Sequence, residues 1–185
     1  ISTHSIVASA YAATPAFSSM TVGMSGTNVA RDGSYAGWHG EKWTTRAPML
    51  TARGDFGVAV AGGKVYVVGG ISGSPLTQNE EYDPVADNWV TRAPMPMARY
   101  GLFAAAVGGK VYAVGGWNGS SYLTQNEEYD PAANSWVTRA PMPTARTGLS
   151  AVVVGDKVYA VGGHNGPALT QNEEYDPAIN AWATR

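Results

Sequence analysis

Along residues 51–185, short apolar runs of a few residues alternate with glycine-rich or Asp-Pro breaks, and this pattern predicts strands rather than helices. The stretch after residue 148 shows the grammar. Leu149 to Val154 is a run of small and β-branched residues, Gly155-Asp156 breaks it, and Lys157 to Val161 is a second apolar run. Gly62-Gly63 and Gly108-Gly109 hold the same place earlier in the chain. A glycine pair suits a two-residue hairpin whose central residues need positive φ, so the two runs form an antiparallel pair. After a further glycine pair and a variable loop, Thr170 to Tyr175 predicts a third strand, Asp176-Pro177 a turn, and the segment around Trp182 a fourth strand. Strand two, Val-Tyr-Val-Val or Val-Tyr-Ala-Val, is apolar on both faces and so is expected to be packed between neighbours. No segment carries a helical period.

These elements recur. Thr-Gln-Asn-Glu-Glu-Tyr-Asp-Pro stands at 77–84, 124–131 and 170–177, offsets of 47 and 46 residues. Trp43, Trp89, Trp136 and Trp182 keep that beat at intervals of 46, 47 and 46. In phase with them fall Gly69-Gly70, Gly115-Gly116 and Gly162-Gly163, and Tyr82, Tyr129 and Tyr175. A four-stranded unit of this size cannot bury both faces alone, so each unit must stack on the next. Radial stacking gives an all-β propeller of four-stranded antiparallel blades. The small residues of strand one sit where blades crowd the axis, and Tyr and Trp sit where the wedge widens. Residues repeated in every unit are read as structural: the glycine pairs, the tyrosines and the tryptophans named above.

The double glycine after strand two, Glu-x-Tyr-Asp-Pro, the tryptophan that follows, and Met-Pro-x-Ala-Arg leading to the next unit resemble Kelch repeats over residues 41–185. The resemblance divides the chain into an outer strand and linker at 41–50 and blades at 51–97, 98–144 and 145–185, the last ending within a motif. Residues 1–40 read as a divergent N-terminal blade or extension, with strand one around Ser5 to Tyr11. The expected total is about four blades. Kelch rings usually close with six or seven and propellers in general with about four to eight, so three readings stand: a self-closed four-blade ring, a portion of a larger ring, which is favoured, or a ring completed by another copy. Ala10-Tyr11-Ala12 faintly resembles a signal-peptidase site, but the run before it is short.

Composition narrows function. Of 185 residues 14% are charged, and 12 Lys and Arg against 14 Asp and Glu give a net charge of -2, so no basic field points to nucleic acid. No run of about 18 apolar residues suggests membrane insertion. With no cysteine there is no thiolate metal site, thiol nucleophile or disulfide, and the compartment is left open, with secretion or the cell surface slightly favoured over the cytoplasm. His4, His39 and His164 share no metal-ligand spacing, and no cofactor is expected. Arg53-Gly54-Asp55 spells an integrin-type tripeptide but occupies the repeat's own linker. Asn118-Gly119-Ser120 formally matches the glycosylation rule.

The variable loops after the glycine pairs carry the binding candidates: Trp117, Asn118 and Tyr122 in one unit, His164 and Asn165 in the next. Aromatic faces and amides on one rim suit protein or sugar partners. Arg53, Arg99 and Arg146, at the ends of the linkers, are a second candidate set, with pairing to the repeated glutamates as the alternative. In each Glu-Glu pair the carboxylates should point to opposite faces, one of them toward water. The expected function is a non-catalytic Kelch segment recognising a protein partner through its rim. The alternatives are glycan binding, favoured if Trp117, Tyr122 and His164 cluster, and a sugar-processing isomerase of the Kelch-like type. A Kelch-like copper oxidase would need a cysteine-linked tyrosine, which this sequence lacks.

Overall fold

The computed structural model describes residues 44–185; the expectations for residues 1–40 and for Trp43 lie outside the described residues. Residues 44–46 are the described part of one unit of the chain and residues 47–185 belong to the other. Residues 44–50, expected to hold part of an outer strand, carry no strand.

The strands follow the predicted grammar. The first blade holds β1 (Gly57–Ala61), β2 (Lys64–Val68), a small hairpin of β3 (Ile71–Ser72) and β4 (Ser74–Pro75), then β5 (Asn79–Asp83) and β6 (Asn88–Arg92). The second holds β7 (Phe103–Val107), β8 (Lys110–Val114), β9 (Asn126–Asp130) and β10 (Ser135–Thr138). The third holds β11 (Ser150–Val154), β12 (Lys157–Val161), β13 (Asn172–Asp176) and β14 (Ala181–Thr184). Each blade is a four-stranded antiparallel meander with strands in sequence order, β1-β2-β5-β6 in the first. At the first hairpin Ala61 pairs with Lys64 around Gly62 and Gly63, whose φ values of 56° and 75° are the positive ones that the turn requires.

Strand three begins two residues later than the sequence predicts, at Asn172 rather than Thr170, and the other blades agree. The reason is where the preceding carbonyls go. Thr77 and Thr124 accept from the linker amides of Met95 and Met142, which draws the Thr-Gln dipeptide out of the ladder.

Two apolar seams join the three blades. In the first, Ala59, Ala61, Tyr66 and Val68 meet Ala104, Val111, Ala113 and Tyr129. In the second, Ala105, Val107, Tyr112 and Val114 meet Val158, Ala160 and Tyr175, with Leu149 and Met142 between. Each blade thus has a leading face toward the blade before and a trailing face toward the blade after. Inner strands come close: a Cβ on Gly57 would lie 2.9 Å from that of Ala104, which is why strand one is built from glycine, alanine and valine.

A polar clasp repeats beside each seam. Tyr129 donates its hydroxyl to Asn134 Oδ1 (2.7 Å), and the same oxygen accepts from the amide of Ala93 at the exit of the preceding blade (2.9 Å). Trp136 Nε1 donates to Ala93 O (2.8 Å). Tyr175, Asn180 and Trp182 hold Ala140 identically, and Tyr82, Asp87 and Trp89 hold Ala47. Asp87, Asn134 and Asn180 adopt φ of 52°, 48° and 51°, a left-handed conformation that Asp and Asn tolerate better than most residues. The Asp-Pro turn forms as predicted: Asp83 Oδ1 accepts from the amides of Val85 and Ala86.

Candidate functional site

The loops after the glycine pairs are anchored before they are variable. Gly69, Gly70, Gly115, Gly116, Gly162 and Gly163 all have positive φ. A side chain at Gly70 would meet Gly54 O at 2.6 Å, and one at Gly116 would meet Tyr100 O at 2.9 Å. That close approach lets each linker pair with the first residue of the loop. Gly54 pairs with Ile71, Tyr100 with Trp117, and Thr147 with His164. Trp117 exchanges two backbone hydrogen bonds with Tyr100 (3.0 and 2.8 Å), and His164 two with Thr147 (both 3.0 Å).

This scaffold brings the aromatic candidates together across two blades. The rings of Trp117 and Tyr122 stand edge to face with centroids 4.5 Å apart, and Tyr122 and His164 do so at 6.1 Å. Trp117 also bridges to Tyr122 through the backbone, so the loop folds into a small hairpin that presents both rings. Trp117 and Tyr122 are half-buried and His164 is exposed. The burial comes from ring on ring and from the linker strand beneath.

The two asparagines serve the loops first. Asn118 Oδ1 accepts from Ser120 N (2.9 Å), Ser120 Oγ (3.0 Å) and Ser121 N (2.8 Å), an Asx-type turn that fixes the tip. Asn165 donates its backbone N–H to Pro167 O (3.3 Å).

Arg53, Arg99 and Arg146 lie beneath the rim. Their side chains are 0% exposed and pair with Glu80 (3.3 Å), Glu127 (2.7 Å) and Glu173 (2.8 Å). Each also donates to a carbonyl of its own strand two: Val67, Ala113 or Ala160. Burial lowers the Arg99 guanidinium's pKa against the opposing pull of Glu127. The backbone carbonyls of Arg99 and Arg146 accept from Gly70 and Gly116 of the preceding blade, so these arginines fix the angle at which one rim loop follows the next.

The glutamate pairs point to opposite faces of strand three as expected, but neither member faces water. Glu81, Glu128 and Glu174 are buried as well. Each receives two hydrogen bonds from an arginine at the end of strand four: Arg92, Arg139 and Arg185. The Arg92 hydrogen bonds hold the Glu81 carboxyl below the usual range, against the opposing effect of burial and with help from Tyr66. Lys64 and Lys110 bind Asp83 and Asp130 at the strand edges.

Sequence reasoning missed the Asp87, Asn134 and Asn180 clasp. Its only signal is an Asp or Asn two positions before each of Trp89, Trp136 and Trp182. Among the described residues no three His, Asp or Glu side chains gather as a metal site, and no helix is long and apolar enough to cross a membrane, which says nothing of a β-barrel.

Comparison with known proteins agrees with the geometry. The Kelch motif model matches residues 52–96, 98–143 and 145–184, one match per blade. No curated protein matches the chain. Among solved structures, that titled "Structure of YjhT" superposes with a TM-score of 0.70 at 21% identity, covering 78% of this chain and 55% of that one. At that identity the likeness is one of fold, and this chain spans about half the length of that structure. With a Kelch match on every described blade, the clasp and the paired glycines in register, the chain belongs to the Kelch repeat family.

Proposed function

We propose that this chain is a non-catalytic recognition module whose binding surface is the aromatic strip Trp117–Tyr122–His164, and that its partner is a protein segment. The observation that carries the reading is the convergence of the three rings, from two successive blades, onto one rim. The buried arginine pairs hold the blades, and the variable residues stand on that rigid base, the arrangement expected of a recognition surface. Partly buried aromatics dominate the energetics of protein interfaces, because they bring large contact area for few frozen torsions.

Glycan binding is the second reading, favoured by the clustering itself: a sugar's C–H face stacks on an aromatic face, and ring contiguity provides adjoining subsites. Panning a displayed peptide library, and in parallel a glycan array, tests both. Peptides selected on the wild-type chain lose at least about 2 kcal/mol of binding, roughly 30-fold, on Trp117→Ala. Selected peptides that bind Trp117→Ala and Tyr122→Ala as well as wild type overturn the rim assignment. Array binding abolished by the same substitutions, with no peptide selected, moves the assignment to sugars.

A further inference from the structure

Asn-Gly occurs twice in the chain, at Asn118-Gly119 and Asn165-Gly166, and both pairs stand in the variable rim loops, directly after Trp117 and His164. Glycine after asparagine leaves its backbone nitrogen unscreened by a side chain, so that nitrogen can approach the carboxamide carbon of the residue before it. The surroundings of the two pairs differ. Asn118 Oδ1 accepts from Ser120 N (2.9 Å), Ser120 Oγ (3.0 Å) and Ser121 N (2.8 Å). Donors on the carbonyl oxygen draw electron density from Cγ, and they are already in place for the negative charge that this oxygen takes on when Cγ is attacked, as in an oxyanion hole. Nothing among the described residues accepts from Asn118 Nδ2 or from the Gly119 amide. Gly119 is exposed at φ of 98°, and a Cβ built on it would meet only Pro75 Cγ, at 3.7 Å, so the backbone beside Asn118 has room to turn. Asn165 has the same dipeptide without the donors: its backbone N–H bonds to Pro167 O, and its side chain receives no hydrogen bond among the described residues.

We propose that Asn118 is a self-modifying site of the rim, where the loop's own donors promote loss of the side-chain amide through a cyclic imide. Gly119 N bonds to Asn118 Cγ and gives up its proton; the Cγ–Nδ2 bond breaks, and Nδ2 leaves with that proton as ammonia. Water then adds to one of the two imide carbonyls, its hydroxyl staying on the carbon and its proton returning to Gly119 N. Opening at Cγ gives aspartate. Opening at the main-chain carbonyl gives isoaspartate, whose backbone runs through the former side chain and is longer by one methylene. The only co-reactant is water. Either product carries a negative charge beside Trp117 where the amide was neutral. In isoaspartate the turn closed by Asn118 N on Ser121 O (3.3 Å) no longer fits its length, so the edge-to-face contact of Trp117 and Tyr122, with centroids 4.5 Å apart, opens. The rim of an aged chain thus differs from that of a new one in charge and in shape. This chemistry belongs to the loop itself and does not depend on what the rim binds.

Incubating the freshly purified chain in warm neutral buffer, and following its tryptic peptides 111–139 and 158–185 by mass spectrometry, tests the proposal. Fragmentation places the new carboxyl, and enzymatic methylation of isoaspartate reports the imide route. Asn118 is expected to convert at least about threefold faster than Asn165, with isoaspartate among its products. Ser120→Ala, which removes the Oγ donor, slows conversion at Asn118 about three- to tenfold and leaves Asn165 as it was. Ser120→Thr keeps the hydroxyl and converts at the wild-type rate. An Asn118 that persists, or that converts no faster than Asn165, overturns the proposal. So does aspartate formed without isoaspartate, or a Ser120→Ala chain that converts at Asn118 as fast as wild type.

Discussion

Replacing Asn134 by glycine separates its two duties, holding a left-handed backbone and accepting hydrogen bonds for the blade in front. Glycine adopts φ of 48° without strain, so the backbone duty is retained. The hydroxyl of Tyr129, a residue with no exposed surface, loses its acceptor in Asn134 Oδ1. Leaving a buried donor unpaired costs about 1–3 kcal/mol. The amide of Ala93 also loses a partner, but it lies at the exposed edge of the turn and adds little. The expected loss is about 2 kcal/mol, roughly 4–8 °C in melting temperature for a chain of this size. Urea unfolding followed by circular dichroism reads it. Asn134→Asp, which keeps the acceptor and copies Asp87 of the first blade, stays within about 0.5 kcal/mol of wild type. Tyr129→Phe combined with Asn134→Gly costs less than the sum of the two, with a coupling of about 1–2 kcal/mol. Strict additivity, or an Asn134→Gly chain as stable as wild type, refutes the clasp.

Three further outcomes follow from the same structure. Trp136→Ala removes a ring packed on Tyr129 at 5.1 Å and the bond to Ala93, and lowers stability by roughly 3–5 kcal/mol, whereas Trp136→Phe, keeping most of the ring, costs about 1–2 kcal/mol; chemical denaturation ranks them. Gly70→Ala, forced against Gly54 O at φ of 101°, destabilises by more than about 2 kcal/mol, while Gly63→Asn, at φ of 75° in open space, costs less than about 1 kcal/mol. Because Arg92 depresses the Glu81 carboxyl in the folded chain, this pair stabilises the fold above the ordinary glutamate pKa of about 4.3, and that contribution is lost as pH falls through the depressed native value. Urea midpoints measured from pH 6 downward therefore decline below about pH 4.3, and decline less for Arg92→Gln.

Local chemistry in the sequence reached the hairpins, the Asp-Pro turns and the order of strands, because each depends on neighbours in the chain: Gly62-Gly63 makes its turn without help, and Asp83 bonds amides two and three residues on. Features that depend on a partner some 40 residues away were hidden. Asn134 reads as an ordinary turn residue until Ala93 of the preceding blade stands against it. The second glutamate of each pair was expected in water because alternation assumes one wet face, and the middle strands of stacked blades have none; Glu128 is buried and meets Arg139 instead. The arginines looked like rim candidates from their place beside the loops, but direction is not written in sequence, and Arg99 points inward to Glu127. At the rim, identities were legible and their meeting was not: Trp117 and His164 lie in different units and meet through Tyr122.

The aromatic rim is tested most directly by hydrogen-exchange mass spectrometry of the chain with and without the tightest peptide or sugar found by panning and array. The account predicts slowed exchange in residues 117–122 and 164–168 and in the linker amides of Tyr100 and Thr147 that pair with them. Protection confined to the outer strands β6, β10 and β14, with the rim unchanged, would contradict it.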